Sequence, residues 1–259
     1  EDFAISQRDI AALKPDNISV SVWVKPPAWN MTGTTRKEFF IGCLGSYSGW
    51  GIYLDYNSGN GGVSFLRGEV VIEDADSSGE PDTIRPFLST AATEALDPDV
   101  WHHVVLTYDG TTAKLYIDGS HDDITDAAQS SGSAKAVSWA NNNGGTENTR
   151  AISFGADTLN YFDAHHFYEG YLDEVAYWNE ALTAGNIEQL YQFSGSNLNS
   201  STLVGYWRFN EGTGVTVEDS SDNNNTIGVI TMPGIVYGSS SPVGAGTGGN
   251  AWRWSSETP

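Results

Sequence analysis

The 259-residue chain is poor in cysteine, in basic residues and in long apolar runs. Its one cysteine, Cys43, cannot form a disulfide within the chain. No apolar run approaches the length of about 18 residues that a membrane-spanning helix needs, so no such helix is expected. The opening segment EDFAISQRDI carries acids and has no apolar run, which predicts that no signal peptide is present.

Basic residues are scarce because 12 Lys and Arg stand against 33 Asp and Glu, which gives a net charge of −21. A chain of this charge repels phosphate backbones and anionic lipid surfaces, so we expect neither nucleic-acid binding nor membrane insertion. The surplus carboxylates suit either a solvated acidic surface or the binding of divalent cations, and the composition leaves both open.

The abundant residues are turn formers and aromatics, with 29 Gly, 9 Trp and 12 Tyr. Residues 18–24, ISVSVWV, alternate apolar and polar side chains, which is typical of a strand with one buried face. Asp109-Gly110 lies between two alternating runs and predicts a hairpin. Further strands are predicted at 39–44, 51–56, 63–66, 101–108, 113–117, 151–155, 170–178, 203–209, 215–217 and 227–231, and a last one at 252–254.

One helix is predicted, over 182–193, because Ile187, Leu190 and Tyr191 form an apolar stripe at helical spacing. Residues 238–250 are rich in Gly and Ser without apolar periodicity, so we expect a loop there. Many short strands with a single helix favour an all-β fold, an antiparallel two-sheet β-sandwich.

Three segments carry a family resemblance: NISVSVWVKP at 17–26, WHHVVLTYDGTTAKLYIDG at 101–119 and GYLDEVAYWNEALTAGNIEQLY at 170–191. In sequence and in order they resemble the laminin-G-like, concanavalin-A-like lectin domain family of bacterial extracellular proteins and adhesins. A fourth segment, LVGYWRFNEGTGVTVEDSSDNNNTIG at 203–228, resembles the element that usually opens this domain.

The fourth segment follows the helix here, which bears on the domain organisation. Residues 1–16 are too few to supply the strands that the domain would lack without it. We therefore expect 203–237 to complete a single sandwich domain, residues 1–259, from the C-terminal side. The alternative is that residue 203 begins a second repeat.

The resemblance implies a concanavalin-A-like jelly roll, used in extracellular modules that bind carbohydrate or protein, many of them with calcium. We therefore expect a calcium-dependent, lectin-like module of a secreted or cell-surface bacterial protein, such as an adhesin. Its expected partner is a glycan or polysaccharide. We expect it to be one module of a larger multidomain protein and monomeric in isolation.

Residues 74–82, DADSSGEPD, fit the first nine positions of an EF-hand-like calcium loop. The ligand positions 1, 3, 5 and 9 carry oxygen donors, namely Asp74, Asp76, Ser78 and Asp82. The twelfth position is Arg85 instead of glutamate, so the closing bidentate ligand must come from elsewhere. A plain acidic turn is the alternative interpretation.

Four other acids are cation candidates. Asp173 lies in an apolar strand in which related concanavalin-A-like proteins often hold a structural calcium, and a salt bridge is the alternative. On a regular strand Asp173 and Glu174 would point to opposite faces. Asp219 opens the segment DSSDNNN, for which a plain turn is the more favoured interpretation. Asp157 and Asp163 border an aromatic loop and are candidates for a cation that holds two vicinal sugar hydroxyls.

Two loops suit the recognition of sugar hydroxyls, which need donors and acceptors together. Residues 139–148, WANNNGGTEN, carry amides and glycines, and residues 159–168, LNYFDAHHFY, carry four aromatics and two histidines. The predicted sugar contacts are Asn141, Asn142, Asn143, Tyr161, His165 and His166. The alternative is a surface loop whose aromatics cover one end of the sandwich. His102 and His103, which face opposite ways on a strand, are expected to be structural.

No catalytic residue is predicted. A retaining glucanase of this fold would need two carboxylates about 5 Å apart, and its E-x-D-x-x-E strand motif is absent from the sequence. The sequence also lacks the G-x-S-x-G and H-E-x-x-H motifs. We therefore predict a non-catalytic binding module. A glycoside hydrolase or polysaccharide lyase domain and a protein-binding adhesion module stay open as alternatives.

Overall fold

The computed structural model describes residues 3–5, 13–28, 36–44, 48–57, 63–75, 81–90, 96–121, 124, 126–128, 133–139, 151–160, 163–193, 201–211, 216–230, 236–237 and 252–254. The first ten strands are β1 (Phe3–Ile5), β2 (Ile18–Lys25), β3 (Arg36–Gly42), β4 (Trp50–Asn57), β5 (Val63–Ala75), β6 (Pro81–Ile84), β7 (Phe87–Thr90), β8 (His102–Tyr108), β9 (Thr112–Ile117) and β10 (Ala127–Ala128). The others are β11 (Ser153–Phe154), β12 (Asp157–Asn160), β13 (Asp163–His165), β14 (Gly170–Trp178), β15 (Leu203–Trp207), β16 (Thr216–Val217), β17 (Ile227–Ile230), β18 (Val236–Tyr237) and β19 (Trp252–Trp254). The helix α1 spans Ala184–Phe193.

Within the described ranges the strands form two large sheets and one short hairpin, all antiparallel. The nine-stranded sheet has the order β16-β17-β1-β11-β3-β4-β5-β6, and β7 also pairs with β5. The eight-stranded sheet has the order β10-β9-β8-β2-β14-β19-β18, and β15 also pairs with β14. The hairpin joins β12 and β13. The predicted all-β, two-sheet sandwich is confirmed.

The core lies between the two sheets. In β2, Ile18, Val20, Val22 and Val24 are fully buried in it, as the alternation in the sequence predicts. The opposite parity faces outward, where Trp23 stacks on Tyr191 of α1 with ring centroids 5.8 Å apart.

Gly68 of β5 lies close to the opposite sheet. A Cβ placed on this residue would lie 2.6 Å from Leu106 Cδ1 and 3.3 Å from Leu115 Cδ2, so a larger side chain would push β5 away from β8 and β9. On either side of Gly68, Arg67 and Glu69 take the opposite parity and point out of the sandwich.

The predicted hairpin at Asp109-Gly110 is confirmed, because β8 and β9 pair across it. Asp109 Oδ1 accepts hydrogen bonds from the Thr111 N–H, the Thr111 hydroxyl and the Thr112 N–H at 2.7–2.8 Å. Gly110 supplies the positive φ of 93° that the turn requires.

The predicted helix is confirmed, although it begins at Ala184 instead of residue 182. Thr183 stands before the first turn, and its Oγ1 accepts the Asn186 N–H at 3.2 Å while Asn186 Oδ1 accepts the Thr183 hydroxyl. This side-chain cap starts the helix after Thr183. The buried side chains of Ile187 and Leu190 then pack on the outer face of the eight-stranded sheet.

The strict alternation assumed for Asp173 and Glu174 is broken by a register shift between β14 and β2. Glu174 has a φ of 47°, which is left-handed backbone, and both side chains are buried. Asp173 Oδ1 accepts the N–H of Glu174 at 2.9 Å, and Glu174 accepts the hydroxyl of Tyr206 and lies 3.7 Å from Arg208 Nε.

The strands after residue 203 pair within the same two sheets. β15 lies against β14, β17 lies against β1, and β19 lies against the first residues of β14. Residues 238–250, predicted as a loop, lie outside the described residues.

Candidate functional site

A groove of about 510 Å³ lies on the outer face of the nine-stranded sheet, across β3, β4 and β5. Strand pairing assembles its floor, because Phe39 pairs with Tyr53 and Tyr53 pairs with Arg67. The neighbours of these residues, such as Phe40, Ile52 and Leu66, point into the core instead. The lining residues are Lys37, Phe39, Leu44, Tyr53, Asp55, Arg67, Glu69, Thr83, Arg85, Asp157 and His166.

The floor of the groove is an aromatic stack. The rings of Phe39 and Tyr53 are 4.6 Å apart and inclined by 16°. The ring of His166 stacks on Phe39 at 5.9 Å, and Lys37 Nζ lies 5.1 Å from the centre of the Tyr53 ring. These neighbours help to bury both aromatic rings almost completely. A ligand in the groove therefore contacts the polar side chains around the stack before it contacts the ring faces.

A buried carboxylate organises one side of the groove. Glu69 Oε2 accepts the hydroxyl of Tyr53 at 2.6 Å, and its Oε1 accepts a hydrogen bond from Arg85 Nη2 at 2.6 Å. Burial, followed by the negative charge of Glu69, raises the pKa of Tyr53 well above its ordinary value. The phenol therefore stays protonated and donates to Glu69.

Two further acid–base pairs complete the lining. Arg67 Nε donates to Asp55 Oδ2 at 2.9 Å, on the neighbouring strand. His166 Nδ1 lies 3.6 Å from Asp157 Oδ2. Each of the three acids in the groove thus has a basic partner, and the set presents donors and acceptors side by side.

His166 is a predicted sugar contact and Asp157 a predicted cation ligand, and the structure places both in the lining of this groove. Backbone hydrogen bonds hold their segment against β3, since the Phe39 N–H donates to the His166 carbonyl and the Gly155 N–H donates to the Phe40 carbonyl, each at 2.9 Å. His166 has a φ of 51°, in the left-handed region.

The other predicted sugar contacts are not assembled within the described residues. Asn141, Asn142, Asn143 and Tyr161 lie outside the described residues. His165 belongs to β13 and pairs with Asp157, whereas Asp163 pairs with Asn160 at the other end of that hairpin.

The predicted cation ligands that the structure describes lie in separate parts of the fold. Asp74 and Asp82 belong to β5 and β6 of one hairpin, in which Ala75 pairs with Pro81, while Asp76 and Ser78 lie outside the described residues. Asp173 is buried in β14. Across the described part of the chain, no three His, Cys, Asp or Glu side chains are close enough to hold a metal ion.

Asp219 organises the predicted turn. Its Oδ1 accepts the N–H groups of Tyr206 and Ser221 at 2.9 and 2.8 Å. Its Oδ2 accepts the Ser221 hydroxyl and the Asn225 N–H at 2.9 and 2.7 Å. Four protein donors thus converge on this carboxylate, and they account for the shape of the turn.

The adjacent histidines have separate structural contacts, as predicted. His102 Nδ1 lies 2.9 Å from Asp118 Oδ2. His103 Nε2 lies 2.7 Å from the Ser21 hydroxyl under α1, and burial lowers the pKa of His103 to about 4. Glu174 shows the opposite effect, because burial raises its pKa to about 7 while Arg208 lowers it.

Sequence reasoning missed most of the groove, namely Lys37, Phe39, Tyr53, Asp55, Arg67, Glu69, Thr83 and Arg85. One signal was present in β5, where Arg67 and Glu69 share one parity while Leu66 and Val70 share the apolar parity. Two charged residues that alternate with apolar ones indicate a strand whose outer face is polar. The predicted strand ends at residue 66, so it does not include them.

The fold and the groove define a class: an antiparallel two-sheet sandwich with an open polar groove on one outer face. The chain also matches the model of the concanavalin A-like lectin/glucanases superfamily over residues 4–188. The chain belongs to this family, in agreement with the resemblance found in its sequence.

Two solved structures share the fold. One is a candidate carbohydrate-binding protein from Bacteroides ovatus, with a TM-score of 0.53 and 15% identity, over 90% of this chain and 58% of that chain. The other is the native heptameric SAP-like pentraxin from Limulus polyphemus, with a TM-score of 0.51 and 16% identity, over 88% of this chain and 87% of that chain. None of the curated proteins matches the chain. In the described residues, no helix is both long and apolar enough to cross a membrane.

Proposed function

We propose that this chain is a non-catalytic carbohydrate-binding module and that the glycan binds in the groove across β3, β4 and β5. The observation that carries the proposal is the set of three acid–base pairs, Arg67–Asp55, Arg85–Glu69 and His166–Asp157, around the stacked rings of Phe39 and Tyr53. A sugar hydroxyl donates one hydrogen bond and accepts others, so it suits a site that offers both kinds of partner. The fold family and the Bacteroides neighbour support the same class of ligand.

The size of the groove supports a small saccharide segment as the ligand. Sites for small molecules commonly enclose about 300–1,000 Å³, and this groove of about 510 Å³ falls in that range. Its residues come from adjacent strands of a rigid sheet, so the polar groups are held in place before the ligand arrives.

Calcium dependence is part of the proposal, with residues 74–82 as its place. The oxygen donors of this segment suit a hard cation. Arg85, at the twelfth position, is bound to Glu69, so it contributes no ligand. The hairpin β5–β6 that carries the segment also carries Arg67, Glu69 and Thr83 of the groove. A bound Ca²⁺ would stabilise this hairpin, and with it one wall of the groove.

The proposed setting is a module of a secreted or cell-surface bacterial protein such as an adhesin.

The non-catalytic assignment is supported by the groove acids, because hydrolysis needs one carboxyl group that gives up a proton and a second that acts as base or nucleophile. In the described groove Asp55, Glu69 and Asp157 are instead each bound to a base. When the protein is incubated with a glycan that it binds, no new reducing ends should therefore be released, which means that the glycan is not hydrolysed.

A glycan array with the whole chain tests the binding site if a groove-filling variant is compared with it. Thr83 lines the groove, so Thr83→Trp should fill the space and abolish binding. Thr216→Trp is the matched control, because Thr216 is exposed in β16 at the other edge of the same sheet. Unchanged binding by a folded Thr83→Trp protein would exclude the groove as the site.

The calcium requirement has its own measurement. Addition of EGTA should lower both the thermal midpoint and the glycan affinity, and added Ca²⁺ should restore both. Asp76→Asn should reduce this response. If EGTA leaves the midpoint and the affinity unchanged, the calcium assignment is wrong while the groove assignment stands.

A further inference from the structure

In each acid–base pair of the groove the base is more exposed than the acid. The side chain of Arg85 is 48% exposed and that of Glu69 is 10% exposed. The side chain of His166 is 44% exposed against 12% for Asp157. The same order holds for Arg67 and Asp55, at 21% and 15%. The acids thus lie deep in the groove, and the bases face its opening.

Lys37 adds another cation to the opening. Its Nζ lies over the ring of Tyr53, and within the described part of the chain it has no carboxylate partner. The groove thus holds three of the chain's 12 Lys and Arg residues, although the chain has a net charge of −21. Their three positive charges equal the three negative charges of Asp55, Glu69 and Asp157, so the described groove has no net charge when histidine is counted as neutral, whereas the chain as a whole is strongly negative.

We propose that the groove selects acidic glycans, whose carboxylate or sulfate groups bind Lys37, Arg67, Arg85 and His166 at the opening; this inference rests on the proposed carbohydrate-binding function. Charge-assisted hydrogen bonds from guanidinium and ammonium groups to such anions are stronger than bonds to neutral hydroxyls. A neutral sugar would leave these donors with weaker partners.

The ion pairs within the groove need not break when the ligand binds. A guanidinium group has five N–H donors, and Glu69 accepts from Arg85 through Nη2. The side chain of Arg85 is half-exposed, so its outer edge is accessible to a ligand anion. Glu69 then holds the guanidinium in place from below.

The carboxylates outside the groove make this selection more specific. Repulsion from distant carboxylates is screened over about 8 Å at physiological ionic strength, so contacts inside the groove decide the binding. Outside the groove the same carboxylates disfavour non-specific adsorption of a polyanion. The molecule therefore recognises an acidic glycan only where the bases are exposed.

The test compares each acidic polysaccharide with its own neutral form by isothermal titration of the whole chain. One arm uses polygalacturonate and its carboxyl-reduced product, which differ only in carboxylates, and the other uses carboxyl-reduced chondroitin sulfate before and after desulfation, which differ only in sulfates. In at least one arm the acidic form should bind about tenfold more tightly or better, and its affinity should fall as NaCl is raised. The arm that responds identifies the anionic group.

Single-charge variants locate the effect. Lys37→Gln should weaken binding of the acidic form about tenfold, since it removes one charged contact, and Arg85→Gln should do the same. Lys114→Gln is the matched control, because it makes the same charge change on β9 of the other sheet, beside Asp126. It should leave binding unchanged, and thermal unfolding checks that all three variants are folded.

The outcomes separate the two proposals. Equal binding of acidic and neutral forms, or a Lys114→Gln effect as large as that of Lys37→Gln, overturns the selection of acidic glycans but leaves a carbohydrate-binding groove. Binding of neutral glycans alone does the same. If neither these polymers nor the glycan array shows binding, both proposals fall.

Discussion

The outer faces of the two sheets are covered in different ways. On the eight-stranded sheet, α1 lies over the surface, and Ile187 is buried against Val105 and Tyr116. On the nine-stranded sheet, the corresponding surface is open across β3, β4 and β5, and it carries acid–base pairs. One sandwich therefore has one apolar, closed outer face and one polar, open outer face.

This difference assigns different physical tasks to the two faces. Burial of apolar side chains under the helix removes area from water and contributes directly to stability. Ion pairs that are partly exposed contribute little to stability, because hydration and side-chain entropy offset their attraction. Substitutions under the helix should thus change the free energy of unfolding and leave binding intact. Substitutions in the groove should change binding and lower the free energy of unfolding by less than substitutions under the helix do.

The largest effect is expected from Ile187→Ala. Ile187 is fully buried between α1 and the eight-stranded sheet, so truncation leaves a cavity and lowers the free energy of unfolding by about 2–5 kcal/mol. Urea unfolding measures this loss. Glu188→Ala, on the exposed side of the same helix, is the control and should change stability by less than about 0.5 kcal/mol.

Ile187→Ala also tests the separation of the two faces. Glycan binding at temperatures well below the midpoint should be unchanged, since the groove belongs to the other sheet. A variant that keeps its stability, or one that stays folded but loses binding, would contradict the division of tasks.

His103, under the same helix, should make stability depend on pH. Burial lowers its pKa to about 4 in the folded protein, against an ordinary value of 6.5. Between these values the unfolded chain takes up a proton and the folded protein does not. The contribution of His103 to stability should therefore fall as pH is lowered from about 6.5 to about 4, by about 3 kcal/mol in all.

The His103→Gln variant isolates this contribution, because the stability of the parent protein relative to the variant should fall by about 3 kcal/mol as the pH is lowered over that interval. Glu174, whose pKa is raised to about 7, acts with the opposite sign, but it is present in both proteins and cancels in the difference. Ser21→Ala is the matched control, since it removes the hydrogen-bond partner of His103 and keeps the titrating group. Identical pH profiles for His103→Gln and the parent protein would refute the interpretation.

Much of the closed face could be predicted from the sequence, because its signals are local. The alternation of ISVSVWV gives β2, and the stripe of Ile187 and Leu190 gives α1. Even the two-residue error at the start of the helix has a local cause, the side-chain cap formed by Thr183 and Asn186. Short-range patterns are sufficient where neighbouring residues in the sequence make the element.

The groove could not be predicted in the same way, because strand pairing assembles it. Phe39, Tyr53 and Arg67 are neighbours in space only through the registers of β3, β4 and β5, which alternation alone does not fix. His166 and Asp157, which line the groove, are among the predicted site residues because they belong to or border the segment 159–168, which is rich in aromatic and polar residues. The predicted contacts Asn141, Asn142, Asn143 and Tyr161 lie outside the described residues and stay predictions.

On the open face, Glu69→Gln should have a moderate effect. The substitution keeps the shape of the side chain but removes the charge that pairs with Arg85, so we expect a loss of about 1–2 kcal/mol in unfolding free energy. Urea unfolding measures it, with Glu218→Gln at an exposed position as the control. A loss as large as that of Ile187→Ala would show that the groove contributes to stability as strongly as the helix face does.

The smallest effect is expected at the pair Arg67 and Asp55. A double-mutant cycle with Arg67→Gln and Asp55→Asn should give a coupling energy of about 0.5–1 kcal/mol in unfolding, since both side chains keep some contact with solvent. The same cycle measured on glycan affinity should show a larger coupling, because Asp55 holds the guanidinium that faces the ligand. If the coupling in stability exceeds the coupling in binding, the pair serves the sheet instead of the ligand. The contrast between a face that stabilises the fold and a face that binds the ligand would then not hold at β4 and β5.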